Sequence, residues 1–286
     1  MISVIVLVYN DQEYVKTAVL SILNQTYKDF ELIIINDHST DKSLEIVKEF
    51  KDKRIKVYSN TKNLGISESR NRGIKMSNGE HIFFTDSDCI ADKNWLANGI
   101  KTLKDDKCLG VEGKTYYVKK NYKKNFSDKT PGDIDAADTY MTCNIAFKRE
   151  AFRKAGYYDT RYTYHEDREF AFRVLKHGKI LRNNKMIVIH QKKLWDVKSY
   201  IKSARRASNR VLLFKEYKDT QCINFRVLFP KNLLKALFPP LIIITLIKNK
   251  PKNWLEYKLI FASYIFCVYQ RILIWKTALK EGVFLL

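Results

Sequence analysis

The sequence predicts an α/β fold, a mostly parallel sheet flanked by helices, with a basic and apolar helical region behind it. Three observations predict it. Between Ile2 and Val118, short apolar runs alternate with segments whose apolar residues recur at helical spacing, and strand–helix alternation implies right-handed crossovers and parallel pairing. The first run, Ile2–Val8, is rich in β-branched residues and lacks polar alternation, as expected of a strand covered on both faces. Charge is unevenly placed: Gln191–Leu286 carries 19 basic and 5 acidic residues, so +14 of the net +21 lies in the last third. That third is a separate electrostatic object whose natural partners are anionic.

Each element follows from local signals. Asn10 or Asp11 can cap a helix carrying Tyr14, Val15, Ala18, Val19, Ile22 and Leu23 on one face. Phe30–Ile35 is a second apolar strand, Ser43–Phe50 a helix and Ile55–Tyr58 a short strand. Ile66–Met76 is helical and stops at Ser77-Asn78-Gly79. His81–Thr85 is a fourth strand, Asp92 can cap a helix running to Leu103, and Leu109–Val118 is strand-like. Lys119–Asp138 is polar and aperiodic, which predicts a surface loop. Thr142–Lys148 restores order, Arg149–Ala155 is a helix stopped by Gly156, and Glu166–His177 is another, ending at Gly178. Ile180–Arg182 and Met186–His190 are expected strands, and Asp196–Tyr217 a basic helix.

Composition narrows the class. With 286 residues, 45% of them hydrophobic and 29% charged, the chain can bury a core. Only 10 glycines and 5 prolines exclude collagen-like and low-complexity chains. The five cysteines are scattered with no CxxC pair, which argues against a zinc site or disulfide framework and fits a reducing cytoplasm. The start, MISVIVLVYN, lacks the basic residues and cleavage site of a signal peptide and is expected to be a buried strand.

In open α/β sheets, ligands bind beyond the carboxyl ends of the strands. Predicted strand ends deliver Tyr9-Asn10, Asn36-Asp37 and Asp86-Ser87-Asp88 to that rim. Two carboxylates two residues apart, Asp86 and Asp88, can hold a ribose hydroxyl and a hard divalent cation, which neutralises a diphosphate leaving group. The same tripeptide can also be a capped turn. Asp37 can accept an N–H of a pyrimidine base, or serve with Asp41 as a turn and N-cap residue. Arg70, one turn into its helix, has a fork suited to phosphate or to a surface salt bridge. Glu166-Asp167 opens a helix, where carboxylates meet the dipole favourably; a carboxylate there can also deprotonate an acceptor hydroxyl. His190 ends a strand near the expected site, either as a metal ligand or as a partly buried histidine bonded to backbone.

Taken in order, VIVLVYN (Val4–Asn10), NDHSTD (Asn36–Asp41), NLGISESRNRG (Asn63–Gly73), DSD (Asp86–Asp88), TCNIAFKR (Thr142–Arg149), GYYD (Gly156–Asp159) and Glu166-Asp167 resemble the motifs of family 2 glycosyltransferases. Each string is weak; the ordered set, over roughly residues 1–195, is specific. The resemblance implies a GT-A fold and an inverting, single-displacement transfer from a nucleotide-sugar. It implies that Tyr9 flanks the base, Asp37 binds its polar edge, Asn63 and Arg70 line the nucleotide pocket, and Asp86 contacts the ribose. It further implies that Asp88 binds Mn2+ or Mg2+ with His190 as a second ligand, that Asp167 is the general base, and that Glu166 orients the base or the acceptor.

This sequence departs from the family pattern in places. The family often has Pro at the position of Leu7 and Asp at that of Asn36, and the third acid, Glu169, follows an intervening Arg168. The QxxRW motif of processive synthases is absent, Gln191–Trp195 reading QKKLW, so addition of a single sugar is expected. By the same likeness a UDP-sugar is the expected donor. A glycan or lipid-linked acceptor in cell-surface polysaccharide or glycoconjugate synthesis is the expected recipient.

Leu237–Ile247 and Leu259–Trp275 are apolar, the second broken by Arg271, and each falls short of the roughly 20 residues that span a bilayer. Trp254, Tyr257, Tyr264, Tyr269 and Trp275 supply interfacial aromatics, and Lys198, Lys202, Arg205, Arg206 and Arg210 lie upstream. The pattern suits a hairpin or helices lying in the cytoplasmic leaflet of the cell membrane against anionic lipid; a membrane-spanning segment and a core or oligomer interface are the other readings. The expected division is residues 1–220 for the GT-A domain, with a nucleotide-binding half at 1–118 and an acceptor half at 139–195, and 221–286 for the tail. A nucleic-acid-binding protein would also explain the charge. However, the aromatics sit in apolar segments rather than among the basic residues, and no helix-turn-helix or zinc spacing is present, so no nucleic-acid partner is expected. A membrane-associated scaffold with an inactive catalytic domain is the third alternative, set against a complete group of acidic residues.

Overall fold

The computed structural model describes residues 1–118, 139–191, 203–217 and 254–283, with Val197 and Ile201 besides. By its internal contacts the chain divides into two compact units, Met1–Lys120 with Gly132–Lys192, and Asn121–Pro131 with Lys193–Leu286. The first unit runs β1 (Ile2–Val8), α1 (Val15–Leu23), β2 (Phe30–Asn36), α2 (Ser43–Lys48), β3 (Ile55–Ser59), α3 (Ile66–Met76), β4 (His81–Asp86), β5 (Cys89–Ala91), α4 (Trp95–Leu103) and β6 (Cys108–Val118). A 3-10 turn at Thr142–Asn144 then leads into β7 (Ile145–Lys148), α5 (Arg149–Ala155), α6 (Glu166–Leu175) and β8 (Lys179–Gln191).

The eight strands form one sheet in the order β3-β2-β1-β4-β7-β6-β8-β5. β3, β2, β1 and β4 pair in parallel, as do β6 and β8. β7 runs antiparallel to both β4 and β6, and β5 antiparallel to β8. Alternate residues of a strand enter opposite layers. Ile2, Val4, Val6 and Val8 pack with Val15, Val19 and Ile22 of α1 and with Trp95, Leu96 and Leu103 of α4. Ile5, Ile33 and Ile35 enter the other layer with Ile74 of α3, Phe152 of α5, and Phe170 and Val174 of α6. Covered on both faces, β1 and β2 can carry apolar residues at nearly every position. One buried amide ties the far half of the sheet together. Asn144 Oδ1 accepts the Trp95 indole N–H at 2.8 Å, while its Nδ2 donates to the carbonyls of Lys114 at 2.9 Å and Met186 at 3.1 Å.

Several elements differ from the sequence expectation. α1 starts at Val15 with no side-chain cap; Asp11 has another use, described below. Asp92 does not cap α4 directly: its carboxylate accepts the Asn94 N–H at 2.9 Å in a turn that precedes the helix. β5, three residues long, is too short to show a period. The two strands expected around Ile180 and Met186 are one, β8. Asn183 pairs with Gly113 and Ile187 with Lys114, so residues 184–186 bulge between them. The loop expected at Lys119–Asp138 and the apolar run Leu237–Ile247 lie outside the described residues.

The described part of the second unit has a 3-10 turn at Ser203–Arg205, α7 (Arg206–Glu216) and α8 (Trp254–Lys280). Val211 of α7 packs with Ile274 and Ala278 of α8, and Lys215 reaches Glu281 at 3.0 Å. α8 is continuous over 27 residues. Arg271 does not break it; the guanidinium is buried and lies 5.0 Å from the Trp275 ring centroid. No helix among the described residues is long and apolar enough to cross a membrane.

Candidate active site

Parallel register brings the first polar groups together. Asn36 pairs with both Val8 and Ser59, and Leu7 pairs with Asp86, so β3, β2, β1 and β4 end along one line. Beyond β1 the chain turns sharply: Tyr9 is 48% exposed, and Asn10 adopts φ 54°. Asn10 holds this turn by accepting the Thr40 N–H at 2.8 Å. Asp11 is buried, and its carboxylate accepts the hydroxyl of Ser87, fixing the Asp86–Asp88 turn to the end of β1.

Asp37 is buried beyond β2 and fully engaged. Its carboxylate accepts the Asn60 amide at 2.7 Å and the backbone N–H groups of Leu64 at 2.8 Å and Gly65 at 3.0 Å. It therefore shapes the loop leading into α3. Asn63 stands exposed on that loop, its amide 3.4 Å from the Asp37 carbonyl. Gly65, with φ 83°, occupies backbone space that other residues rarely adopt.

A cluster of possible metal donors lies at the end of β4. Asp86, Asp88, Cys89 and His190 each place one donor atom within 4.8 Å of the others. The pairing of β5 with β8 sets Cys89 opposite His190, and His190 Nε2 is 3.7 Å from Asp88 Oδ1. The Cys89 Sγ lies 3.8 Å from the same Asp88 oxygen, buried on the core side. Two carboxylates and an imidazole suit Mn2+ or Mg2+ better than a softer ion.

The second carboxylate pair reaches this rim through α3. The Ser67 hydroxyl donates to the Tyr162 carbonyl at 2.6 Å, and Asn71 exchanges hydrogen bonds with the Tyr158 backbone at 2.8 and 2.9 Å. These bonds dock the segment before α6, and His165 at φ 66° turns the chain into that helix. Arg70, only 2% exposed, is ion-paired with Glu166 and lies 3.8 Å from Asp86. One guanidinium thus joins α6 to the end of β4. Burial, and then the neighbouring Glu166, push the Asp167 carboxyl up to about 7, while Arg70 and Arg168 pull it down. A carboxyl so poised can hold or give up a proton near neutrality.

Residues 3–173 match the family model for Glycosyl transferase family 2. The chain belongs to that family. It is 28% identical over 189 residues to WfaP of Escherichia coli, a UDP-Glc:alpha-D-GlcNAc-diphosphoundecaprenol beta-1,3-glucosyltransferase, covering 65% of this chain and 75% of that protein. It is 37% identical over 144 residues to the putative glycosyltransferase EpsH of Bacillus subtilis, covering 49% of this chain and 39% of the other. Among solved structures, a mannosyltransferase of Pyrobaculum calidifontis in complex with GDP-Man and Mn2+ superposes with a TM-score of 0.64 at 15% identity, over 98% of this chain and 86% of that one. Residues 1–349 of Staphylococcus aureus TarS, in complex with UDP, give 0.61 at 17% identity, over 99% and 92%. The fold is GT-A, and the protein is a glycosyltransferase.

In this family 2 enzyme, the structure unites Asp86, Asp88 and His190 in one cluster and Arg70, Glu166 and Asp167 in another, with Arg70 between them. Tyr9 and Asn63 are exposed, and Asp37 is occupied by the loop leading into α3. Glu169, the third acid, is held by Arg173 one turn along α6 at 2.7 Å. Sequence reasoning missed Asp11, Ser67, Ser87, Cys89 and Tyr158. Asp11 and Ser87 meet 76 positions apart, and no local pattern announces such a pair. Asn71 lies within the quoted run Asn63–Gly73, but nothing there marks it as the anchor of α6.

Proposed function

We propose that this glycosyltransferase moves one sugar, with inversion, from a nucleotide-sugar to a hydroxyl of a glycan or lipid-linked acceptor in surface polysaccharide or glycoconjugate synthesis. The observation that carries this is Asp167, a carboxyl raised to about 7 next to Glu166, whose ion pair with Arg70 leads to the carboxylate rim at Asp86. A general base works best when its pKa lies near the operating pH. Asp167 takes the proton of the acceptor hydroxyl as the oxygen attacks C1 of the sugar. The bond from C1 to the diphosphate oxygen breaks on the opposite side, and the nucleoside diphosphate departs. Glu166, held by Arg70, keeps the base oriented. Asp88, Asp86 and His190 would hold Mn2+ or Mg2+, which when bound supplies positive charge to the leaving diphosphate. Exposed Tyr9 and Asn63 meet the base, and Asp37 sets the shape of the loop beside it.

The name of WfaP supports a UDP-sugar as donor and a lipid-linked diphosphate sugar as acceptor. The test is nucleotide release from UDP-, GDP- and dTDP-sugars with Mn2+, with microbial lipid extract as acceptor. We expect release from a UDP-sugar, dependent on the extract. Release from none, together with no metal-dependent binding of UDP, would overturn the enzymatic proposal in favour of a scaffold.

The same proposal places the enzyme at the cytoplasmic face of the cell membrane, against anionic lipid. Support comes from α8, where Trp254, Phe261, Ile265, Ile272 and Leu279 are exposed, and from the +14 of Gln191–Leu286. Apolar burial and basic charge together give salt-sensitive binding to anionic bilayers. The protein is expected to sediment with phosphatidylglycerol vesicles at low salt and to be partly released as salt rises. Equal binding to neutral vesicles at all salt concentrations would count against an electrostatic contribution.

A further inference from the structure

A buried hydroxyl stands beneath the two carboxylate arms of the site. Tyr158 is 3% exposed, and its Oη has no hydrogen-bond partner among the described residues. The backbone of this residue is pinned on both sides by Asn71. Its ring lies 4.7 Å from that of Phe170 and 5.8 Å from that of Phe84. Phe170 is three residues past Asp167 on α6, and residues so spaced share a helix face. Phe84 is two residues before Asp86 on β4, on the same face of the sheet. The Arg70 guanidinium carbon sits 5.7 Å from the Tyr158 ring centroid. Tyr158 is thus wedged where α3, α6 and β4 converge.

Buried polar groups in folded proteins are nearly always paired, and an exception calls for an explanation. The charged groups around Tyr158 are Asp167 and Glu166 of α6, Arg173 of the same helix, and Arg70 of α3. Asp86 of β4 and Arg168 of α6 complete the set acting on Arg70 and Asp167. The arginines offer no acceptor, and Glu166 is already paired with Arg70. Of the two carboxylates that act on Tyr158, Asp167 and Glu166, Asp167 is the one left to receive the hydroxyl.

We propose that Tyr158 is a positioning residue whose buried hydroxyl donates to the Asp167 carboxylate as that group gives up its proton. The hydroxyl then stabilises the basic form and fixes its direction, without touching substrate. This rests on Asp167 being the base, yet its test does not need turnover. Removing a donor from a carboxylate disfavours its charged form. Tyr158→Phe keeps the ring and its packing. At pH 5, where Asp167 is protonated, the variant is expected to melt at or above the wild-type temperature, having lost an unpaired hydroxyl. Above pH 8 it is expected to melt below wild type, the difference developing through about pH 7. In an Asp167→Asn background the same substitution should show no pH dependence.

With the donor in hand, the acidic limb of kcat/KM should move up by about one to two pH units in Tyr158→Phe. A melting difference independent of pH, or a pH dependence that persists in the Asp167→Asn background, would overturn the role of Tyr158 whatever the activity. Full turnover in Asp167→Asn itself would instead overturn the choice of base.

Discussion

Asp167→Asn is expected to lower turnover by about 10²–10⁴-fold, the usual worth of a general base, while leaving nucleotide-sugar binding intact. Asn has nearly the same shape and can keep the neighbouring contacts, but it cannot accept the proton of the acceptor hydroxyl. The wild-type pH profile should carry the same information. Because burial and Glu166 raise Asp167 to about 7, kcat/KM is expected to climb with pH through neutrality, and that limb should vanish in the variant. Stability should move the opposite way. In the unfolded chain an Asp titrates near 3.9, so the native state binds the proton more tightly. The wild type therefore loses stability as pH rises from about 4 through 7. Asp167→Asn removes that loss, and its advantage in melting temperature should be absent at pH 4 and full at pH 8. An inactive variant whose stability advantage over the wild type grows with pH is what a catalytic carboxyl held against its preference predicts. A variant both active and no more stable would show that Asp167 is an ordinary helix-start residue.

The elements that could be read in the sequence were those whose local chemistry and tertiary setting agree. β1 and β2 are buried on both faces, so their apolar runs have no competing explanation. α3 and α5 are bounded by Gly65 and Gly156, both at positive φ, and their limits are those expected from the residues alone. What could not be read depends on partners far away in the chain. Arg70 was open to a phosphate or a surface salt bridge; it is instead buried, because Glu166, 96 positions on, supplies its countercharge. Asp11 offered itself as a cap, but the Ser87 hydroxyl claims it. Asp37 suited either a base edge or a turn, and the structure shows three donors of the loop between β3 and α3 upon it, 23 to 28 positions on. In each case residue type was informative and the partner was not, since the partner exists only once the sheet has formed.

Asp88→Ala should have the other large effect, and it separates donor binding from proton transfer. Asp88 is buried, with His190 Nε2 at 3.7 Å from its carboxylate and Cys89 Sγ at 3.8 Å. Removing it leaves the cluster with one carboxylate, Asp86, which is also 3.8 Å from Arg70. That remaining charge is shared with the guanidinium, so it cannot replace what is lost. A divalent ion acting on developing phosphate charge supplies several kcal/mol, and each 1.4 kcal/mol is tenfold in rate. Turnover is therefore expected to fall by at least about a hundredfold. Unlike Asp167→Asn, the loss should appear already in binding. Titration with Mn2+ should show weakened uptake, and affinity for UDP should cease to depend on the metal. His190→Ala should weaken Mn2+ less, since an imidazole brings no negative charge to the site. If Asp88→Ala binds Mn2+ and UDP as the wild type does, the cation is held elsewhere, and the turn at the end of β4 is structural. If it loses the metal but Asp167→Asn retains it, the two carboxylate arms divide the work as their placement on either side of Arg70 implies.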